Sequence, residues 1–439
     1  MRKIMLAAVM FSLTCAAGAS DWTQWFGANH DGSTDEKISS TWPASGPKAL
    51  WKSPVGEGLG TPAVVGGKVY IMAETQGPTG APAKAKGTER GGAESVVCLD
   101  ANTGKQIWAA PVGPTILFEH SGNDGPRSTP AVANGHVYAV GTYLNIACFD
   151  AISGKPVWAH DSEKEFGGGV QLKTAGIGAW GCSNSPVIDG NLLFVHCGGA
   201  GQALMAFDLK TGNVAWKGET EDLTHCTPTV ATILGQRQVI FFTKKGLVSL
   251  ATETGKQLWR FPFRWAVSTA ISPVVGGDIV YCSAGYGVGG GACKITKEGD
   301  GFKATELWSD VKMPSHWSTP VYHDGYLYGL IGFKEFGKEP LKCVEMATGK
   351  VMWTQPGFGQ GGTALVDGKI LILGDLGQIV LCEASEKGYK ELAQYKAFDI
   401  TKPEGKGGLE KCWNQAVVSG GRIYARSTKE VLCLDVTAK

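Results

Sequence analysis

Three features are missing from this sequence, and each absence excludes a class of protein. After residue 13, no uninterrupted apolar run approaches the ~20 residues that a membrane-spanning helix requires, so we expect no membrane span. The 41 basic and 40 acidic residues leave no excess of either charge, which argues against a nucleic-acid partner. Long stretches with helical periodicity are also absent. Glycine (63 residues) and tryptophan (14 residues) are abundant instead, which favours many short strands joined by glycine turns.

The first twenty residues have the pattern of a secretory signal peptide. Basic residues at 2–3, an apolar run over 4–13 and small residues at 16–19 follow one another. We therefore predict a signal peptide over residues 1–19 and a mature chain that is periplasmic or secreted. Cys15 raises the alternative of a lipid anchor, but Thr14 stands before it where a lipoprotein signal has glycine or alanine.

One sequence unit recurs eight times along the rest of the chain. It opens with Thr/Ser-Pro and an alternating strand, passes a Gly-Gly-Lys-like turn, and later reads apolar-Cys-apolar-Asp-Ala-x-Thr-Gly-Lys-x-x-Trp; the clearest copy runs from Thr61 to Trp108. The openings are Thr61-Pro62, Thr129-Pro130, Ser185-Pro186, Thr227-Pro228, Ser272-Pro273, Thr319-Pro320, Thr363-Ala364 and Gln415-Ala416. Each unit supplies four strands, A to D, and no linker separates the units. The sequence therefore predicts an all-β fold, one domain over residues 20–439, in which four-stranded antiparallel blades form an eight-bladed β-propeller.

The two ends of the chain complement each other. Six units close with a tryptophan, at Trp108, Trp158, Trp216, Trp259, Trp308 and Trp353, and Tyr395 stands at this position in the seventh. The eighth unit ends at Lys439 without its last strand, whereas residues 48–52 around Trp51 read as a last strand with no blade before it. We predict that this N-terminal strand completes the last blade, because closure removes two exposed sheet edges.

The repeated Ala-x-x-Thr-Gly-x-x-x-Trp unit resembles the signature of the pyrroloquinoline-quinone-like repeat propellers. The resemblance covers nearly all of the mature chain, including residues 21–27, which look like the opening of many exported bacterial members. The family includes quinoprotein alcohol dehydrogenases and non-enzymatic scaffolds such as the lipoprotein of the outer-membrane barrel-assembly machinery. The resemblance therefore implies the fold and leaves two classes of function open.

The first class is a non-catalytic module that binds a protein or a glycan in the periplasm or at the cell surface. The second is a quinone-dependent dehydrogenase of alcohols or sugars, which would use pyrroloquinoline quinone (PQQ) with calcium. In the dehydrogenases, the resemblance implies a disulfide between adjacent cysteines against the quinone, and a Glu, an Asn and an Asp around calcium. This sequence has no Cys-Cys pair and no Cys-x-x-Cys-His haem motif. We therefore favour the binding class, and we expect no cofactor and a monomeric chain.

The twelve cysteines do not form an obvious disulfide framework. Six of them, Cys98, Cys148, Cys293, Cys343, Cys382 and Cys433, share one position of strand C, which favours small buried side chains over bridges. Cys182 and Cys226, just ahead of strand A in consecutive blades, are the pair most worth testing for a bond. His120, His225 and His316 also precede a strand A and could converge on a metal, but blades 2, 4 and 6 lie far apart around a ring, so we expect no metal.

Repeat geometry indicates where a ligand would bind. If strand A is innermost, the D-to-A connections and B-to-C loops share one face, which we call the mouth face, and the tight repeated turns share the other, the turn face. Variable loops on a rigid scaffold usually carry function. The candidate ligand-binding residues lie just before strand A: Arg127, Trp180, Asn184, His225, His316, Trp317, Trp413 and Asn414. The alternative is that these side chains fill the channel and hydrogen-bond to one another.

Overall fold

The computed structural model describes residues 21–76, 89–117, 125–169, 180–333, 336–401 and 410–438. The predicted signal peptide, with Cys15, lies outside the described residues, as does His120. Within the described residues, the strands form eight antiparallel sheets of four propeller strands each. The predicted eight-bladed propeller is therefore confirmed.

Strands A to D of each blade run in chain order, except in the last blade. Blade 1 comprises Ala63–Val65, Lys68–Gln76, Glu89–Asp100 and Gln106–Leu117; blade 2, Ala131–Ala133, His136–Val140, Asn145–Asp150 and Pro156–Asp161; blade 3, Val187–Asp189, Leu192–His196, Leu204–Asp208 and Val214–Gly218; blade 4, Thr229–Ile233, Gln236–Thr243, Gly246–Ala251 and Gln257–Pro262. Blade 5 comprises Val274–Gly276, Ile279–Ala284, Gly289–Glu298 and Gly301–Asp310; blade 6, Val321–His323, Tyr326–Leu330, Leu341–Glu345 and Val351–Gln355; blade 7, Gly362–Val366, Lys369–Leu373, Gln378–Glu383 and Glu391–Lys396; blade 8, Val417–Ser419, Arg422–Arg426, Glu430–Asp435 and, as strand D, Lys48–Pro54. A short helix, Ser162–Phe166, follows blade 2, and no helix in the described segments is long and apolar enough to cross a membrane.

Blade 8 is assembled from both ends of the chain. Lys48–Pro54 pairs antiparallel with Glu430–Asp435, and Trp51 lies opposite Cys433. Arg426 also stabilises the interface between blades 8 and 1. Its fully buried guanidinium donates to Gly60 O at 3.1 Å and to Met72 O at 2.7 Å. The predicted closure by an N-terminal strand is confirmed.

The repeated tryptophan joins each blade to the next. Its indole Nε1 donates to a backbone carbonyl at the C-to-D turn of the following blade, over 2.7 to 3.4 Å; the pairs are Trp51 to Ala101, Trp108 to Ala151, Trp158 to Leu209, Trp216 to Thr252, Trp308 to Met346 and Trp353 to Ser385. In five of these six pairs the ring also lies against the glycine of that turn, which is Gly104, Gly154, Gly212, Gly255 or Gly349. A Cβ on Gly154, for example, would lie 2.7 Å from the ring of Trp108, which explains why the repeat requires glycine there. We call this contact the tryptophan–glycine staple.

Two interfaces vary the staple in ways that the sequence explains. Tyr395 replaces the tryptophan of blade 7, as predicted, and its ring lies against Gly46, in the segment that leads into strand D of blade 8. Trp259 of blade 4 donates instead to Gln238 Oε1 in its own blade, at 2.6 Å. Blade 5 has a longer hairpin, Gly289–Asp310, in place of the Thr-Gly-Lys turn that would otherwise accept the bond.

The segment before the closing strand enters the central channel, which the repeats do not predict. Residues 21–38, which we call the plug, contact the ends of several A strands near the turn face. Trp22 forms an antiparallel bridge with Val64 in blade 1, and Gln24 bonds to both backbone groups of Ile188 in blade 3. Ser33–Thr34 then pairs in parallel with strand A of blade 7. The channel is thereby crossed by the protein's own N-terminal segment.

The eleven cysteines of the described residues are buried free thiols. The six at the repeat position on strand C are fully buried, which confirms their assignment as small core side chains. The suggested Cys182–Cys226 disulfide is wrong. Each thiol is surrounded by the core of its own blade region, and burial raises the pKa of both to about 12.

Candidate functional site

A cavity of about 260 Å³ lies in the channel on the mouth face. Residues that precede strand A in blades 1 to 6 and blade 8 line its walls, together with Tyr286 from the B-to-C loop of blade 5. Trp25 of the plug also lines it, and its Nε1 donates to Ser272 Oγ at 2.8 Å. The plug therefore provides part of the inner wall of the cavity.

Six of the eight predicted residues line this cavity. They are Arg127, Trp180, His225, His316, Trp317 and Trp413. They come from blades 2, 3, 4 and 6 and from the segment entering blade 8, and ring closure brings them round one axis. A cavity therefore remains between these side chains.

Asn184 and Asn414 lie elsewhere. Both are buried, and each Nδ2 donates to the last carbonyl of strand B in its own blade, His196 O at 3.0 Å and Arg426 O at 3.1 Å. Ser128, at the same repeat position in blade 2, does the same to Val140 O at 2.5 Å. A short polar side chain at this position therefore donates to the strand B carbonyl of its own blade. The bond fixes the chain just before strand A.

Aromatic rings cover one side of the cavity. The ring centroids of His316 and Trp317 are 4.4 Å apart, and those of Trp317 and Trp413 are also 4.4 Å apart. Tyr286 meets His316 edge-on at 5.0 Å. Trp317 is fixed by a bond from its Nε1 to Gln360 O at 3.0 Å. These rings form an ordered apolar surface on which another ring can stack.

Two cations contribute to the lining. Arg127 Nη1 donates to Trp180 O at 3.1 Å, and Lys411 Nζ lies 4.2 Å from the ring centroid of Trp413. Lys411 is only 5% exposed, so its charge is held in the protein wall. Among the lining residues that belong to the described segments, none is a carboxylate.

Glu94 is a buried carboxylate that does not line the cavity but interacts electrostatically with Arg127. It is fully buried in blade 1 and accepts bonds from Thr142 N, at 2.8 Å, and from Thr142 Oγ1. Burial raises its pKa to about 7, although these bonds and the charge of Arg127 act in the opposite direction. At neutral pH this carboxyl is therefore only partly ionised.

Polar atoms in the walls lack partners. Both ring nitrogens of His225 and the Nε1 of Trp413 are buried without a hydrogen bond to any residue that the structure describes. His225 is 6% exposed, and burial, followed by the positive charge of Arg127, lowers its pKa to about 3. The imidazole is therefore neutral near pH 7, with one donor nitrogen and one acceptor nitrogen.

The lowered pKa of His225 predicts a dependence of stability on pH. Between pH 7 and pH 5 the unfolded chain protonates this histidine while the folded chain does not, so the free energy of unfolding falls as pH falls. For one histidine with an ordinary unfolded pKa the loss is about 2 kcal/mol. His225→Gln removes the effect, so urea unfolding should show the variant gaining about 2 kcal/mol relative to the wild type over this interval. A difference that stays constant with pH would show that the folded protein protonates this ring at the same pH as the unfolded chain.

Sequence reasoning missed nine of the lining residues, and the three with large or charged side chains among them are Trp25, Tyr286 and Lys411. Trp25 has no counterpart in the repeats, so nothing predicted its place in the channel. Tyr286 lies in a glycine-rich B-to-C loop whose composition hides it. Lys411 could have been found, because it stands two positions before Trp413 in the same connection to strand A.

The cavity does not fit a calcium-bound quinone. Its described lining offers no carboxylate for calcium, and no group of three or more His, Cys, Asp or Glu side chains in the described part of the chain is arranged to hold a metal ion. The sequence has no adjacent cysteines to lie against a quinone.

Comparisons with known proteins agree with this fold. A family profile described as outer membrane protein assembly factor BamB matches residues 92–355. The chain is 24% identical over 343 residues to the outer membrane protein assembly factor BamB of Burkholderia pseudomallei (strain K96243), an alignment that covers 74% of each protein.

Two solved structures share the propeller at low sequence identity. BamB from Moraxella catarrhalis matches with a TM-score of 0.54 and 14% identity, over 88% of this chain and 97% of that one. Quinohemoprotein alcohol dehydrogenase from Comamonas testosteroni matches with a TM-score of 0.58 and 13% identity, over 96% and 81%. These two likenesses concern the fold alone. Because the profile covers more than half of the sequence, the chain belongs to the PQQ-like propeller family described as outer membrane protein assembly factor BamB.

Proposed function

We propose that this chain is a non-catalytic binding module of the bacterial cell envelope, exported to the periplasm, which takes a protein or a glycan at the mouth face. The observation that carries the proposal is the cavity itself. Six chemically varied side chains from different blades line one space, and buried polar atoms of His225 and Trp413 have no hydrogen-bond partner among the residues that the structure describes. A propeller that only needed a packed channel would gain stability by filling that space or pairing those atoms.

Two further observations support this proposal. The signal-peptide pattern of residues 1–19 favours export. The relative from Burkholderia pseudomallei is named an outer membrane protein assembly factor, which supports a role beside proteins of the envelope. A dehydrogenase function has no comparable support, because the described lining of the cavity includes no carboxylate for calcium and the sequence has no adjacent cysteines.

A binding screen tests the site. Purified wild-type protein is screened against oligosaccharides and peptides from envelope proteins, and each hit is titrated against Trp180→Ala and Trp317→Ala. We expect the urea midpoint of each variant to stay close to that of the wild type. The binding free energy should weaken by about 1 to 3 kcal/mol, which is the usual loss when an aromatic residue at a binding hot spot is truncated. Trp265→Ala is the matched control, since Trp265 lies in the connection after strand D of blade 4 and does not line the cavity. Clear destabilisation of both variants without any loss of binding would contradict the proposal.

The dehydrogenase alternative has its own measurement. We expect calorimetry to detect no sub-micromolar binding of PQQ in the presence of calcium. We also expect no calcium-dependent dye reduction with an alcohol as substrate. A positive result in either experiment would replace the binding proposal with a redox one.

A further inference from the structure

One buried carboxylate connects several loops of the mouth face. Asp375 is fully buried in the B-to-C loop of blade 7, between the strands Lys369–Leu373 and Gln378–Glu383, and it does not line the cavity. Its hydrogen bonds nevertheless lead to Trp317 and Trp413, whose ring centroids are 4.4 Å apart in the cavity wall. A residue outside the cavity is therefore linked to two side chains of its wall.

Three backbone amides donate to the carboxylate of Asp375. Gly337 N, in the B-to-C loop of blade 6, lies 3.1 Å from Oδ1 and 3.2 Å from Oδ2. Gln360 N, in the connection from blade 6 to blade 7, lies 2.9 Å from Oδ2, and Leu376 N is the third donor. Hydrogen bonds to an ionised acceptor are about twice as strong as those between neutral groups. The carboxylate therefore fixes two segments from blade 6 relative to blade 7.

The backbone of Asp375 extends the same network to blade 8. Its N–H donates to Phe358 O at 3.1 Å, and its carbonyl accepts from Cys412 N at 3.0 Å. Cys412 stands next to Trp413 in the segment that enters blade 8. One residue therefore bonds to the loop of blade 6, to the connection into blade 7 and to the segment entering blade 8.

Two of these bonds lead directly to the indole rings. Gln360 donates its amide to Asp375 and accepts at its own carbonyl the bond from Trp317 Nε1, at 3.0 Å. The bond to Cys412 fixes the backbone one residue before Trp413. Because the two rings come from different segments, their contact requires these segments to keep one relative position. Asp375 bonds to both segments and so provides that constraint.

The chain encloses the carboxylate closely at Gly359. A Cβ on Gly359, whose φ is +72°, would lie 2.1 Å from each oxygen of Asp375. Only glycine therefore lets the connection into blade 7 come close enough for Gln360 N to donate. Gly357, two residues earlier, also has a positive φ, +108°, but a Cβ there would have nothing within 4 Å. The two glycines separate the need for space at the carboxylate from the need for a positive φ.

We infer that Asp375 is a positioning residue of the mouth site, which holds the rings of Trp317 and Trp413 in contact through Gln360 and Cys412 without touching a ligand itself. The position of the rings follows from the bonds alone. Its effect on a ligand rests on the proposed function, because that proposal makes the rings part of a binding site.

Circular dichroism of the folded protein tests the inference without a ligand. Two indole rings in close contact couple their electronic transitions and give a paired positive and negative band in the far ultraviolet. The part of the spectrum that is lost in both Trp317→Phe and Trp413→Phe assigns this ring signal. Asp375→Asn keeps the shape of the side chain but replaces one acceptor oxygen by a donor, which faces amide N–H groups. We expect this variant to lose more than half of the ring signal at about pH 8, which favours the ionised carboxylate in the wild type.

Asp367→Asn is the matched control. Asp367 is also a carboxylate of blade 7, but it pairs with Lys37 and Lys369 at the turn face. We expect this variant to keep the full ring signal, and both variants to unfold cooperatively in urea. A full ring signal in folded Asp375→Asn would overturn the inference, and so would an equal loss in the control.

A second pair of variants leaves the side chain of Asp375 intact. We expect Gly359→Ala to lose the ring signal as well, because the added methyl group displaces the carboxylate from Gln360 N, and Gly357→Ala to keep it. An equal loss in the two alanine variants would assign the effect to backbone strain and would overturn the inference.

Binding measurements separate this inference from the proposed function. Each oligosaccharide or peptide found in the screen is titrated against Asp375→Asn and Asp367→Asn, and we expect ligands that depend on Trp317 to bind several-fold more weakly to the first alone. If Asp375→Asn loses the ring signal but no ligand depends on Trp317, the inference stands and the proposed site is wrong. If ligands depend on Trp317 while Asp375→Asn keeps both its affinity and its ring signal, the inference is wrong and the proposed function stands.

Discussion

Removal of residues 21–54 should leave a chain that does not fold into a stable ring. The deletion takes away the plug and strand D of blade 8, so that Glu430–Asp435 loses its antiparallel partner and becomes an exposed edge. It also removes Trp51. The ring centroid of Trp51 lies 6.0 Å from that of Tyr424, and its Nε1 donates to Ala101 O across the interface between blades 8 and 1. Loss of a buried tryptophan side chain alone costs about 3–5 kcal/mol, a large part of the stability of a typical domain.

A staged pair of deletions separates the two contributions. A chain lacking residues 21–38 loses the plug but keeps strand D of blade 8, whereas one lacking 21–54 loses both. We expect urea unfolding to give a reduced midpoint for the first chain and no cooperative transition for the second, relative to a chain that starts at residue 21. A midpoint for the 21–54 deletion equal to that of this reference would show that the interface between blades 8 and 1 contributes nothing to stability.

Gly154→Ala should destabilise the protein far more than Gly135→Ala. Both glycines have a positive φ, +70° and +75°, so each alanine meets the same backbone strain of about 1–2 kcal/mol. Only at Gly154 does the added Cβ meet a neighbour, the ring of Trp108 at 2.7 Å, whereas a Cβ on Gly135 would have nothing within 4 Å. Overpacking adds about 1–3 kcal/mol, so we expect a loss of about 3 kcal/mol at Gly154 and about 1 kcal/mol at Gly135.

A double-mutant cycle assigns the difference to the staple. In a Trp108→Ala background the ring is gone, so Gly154→Ala should cost no more than Gly135→Ala does. The free energies come from urea unfolding of the four proteins of the cycle and of the Gly135 control. An equal cost of Gly154→Ala with and without Trp108 would mean that the staple does not constrain the turn.

The propeller could be predicted from the sequence because the same sequence unit occurs eight times. Each copy of the unit places Trp108 and its counterparts at the same point of strand D, so one pattern is tested many times over. The closing strand around Trp51 followed from the missing strand of the last unit. The plug could not be predicted, because Trp22 and Trp25 belong to no repeat and their contacts depend on the finished channel.

The candidate site could be predicted as a location but not side chain by side chain. Trp180, His225 and Trp317 all precede strand A of their blades. Their shared position in the repeat fixes the course of the backbone and so brings all three to the central axis. It does not fix which way a side chain turns. Asn184 is short enough to reach the strand B carbonyl of its own blade, so it turns into the blade, whereas the larger rings extend into the cavity.

The construction of blade 8 from both chain ends also affects how the protein avoids aggregation. Lys48–Pro54 precedes blades 1 to 7 along the chain and its partner, Glu430–Asp435, follows them, so this strand is synthesised long before its partner. An unpaired strand with a tryptophan at its centre is a site for association between chains. Lys48 and Lys52 flank Trp51 with charge, and Pro54 ends the strand without a donor. Charges and a proline in these places disfavour the pairing of an incomplete blade with another molecule.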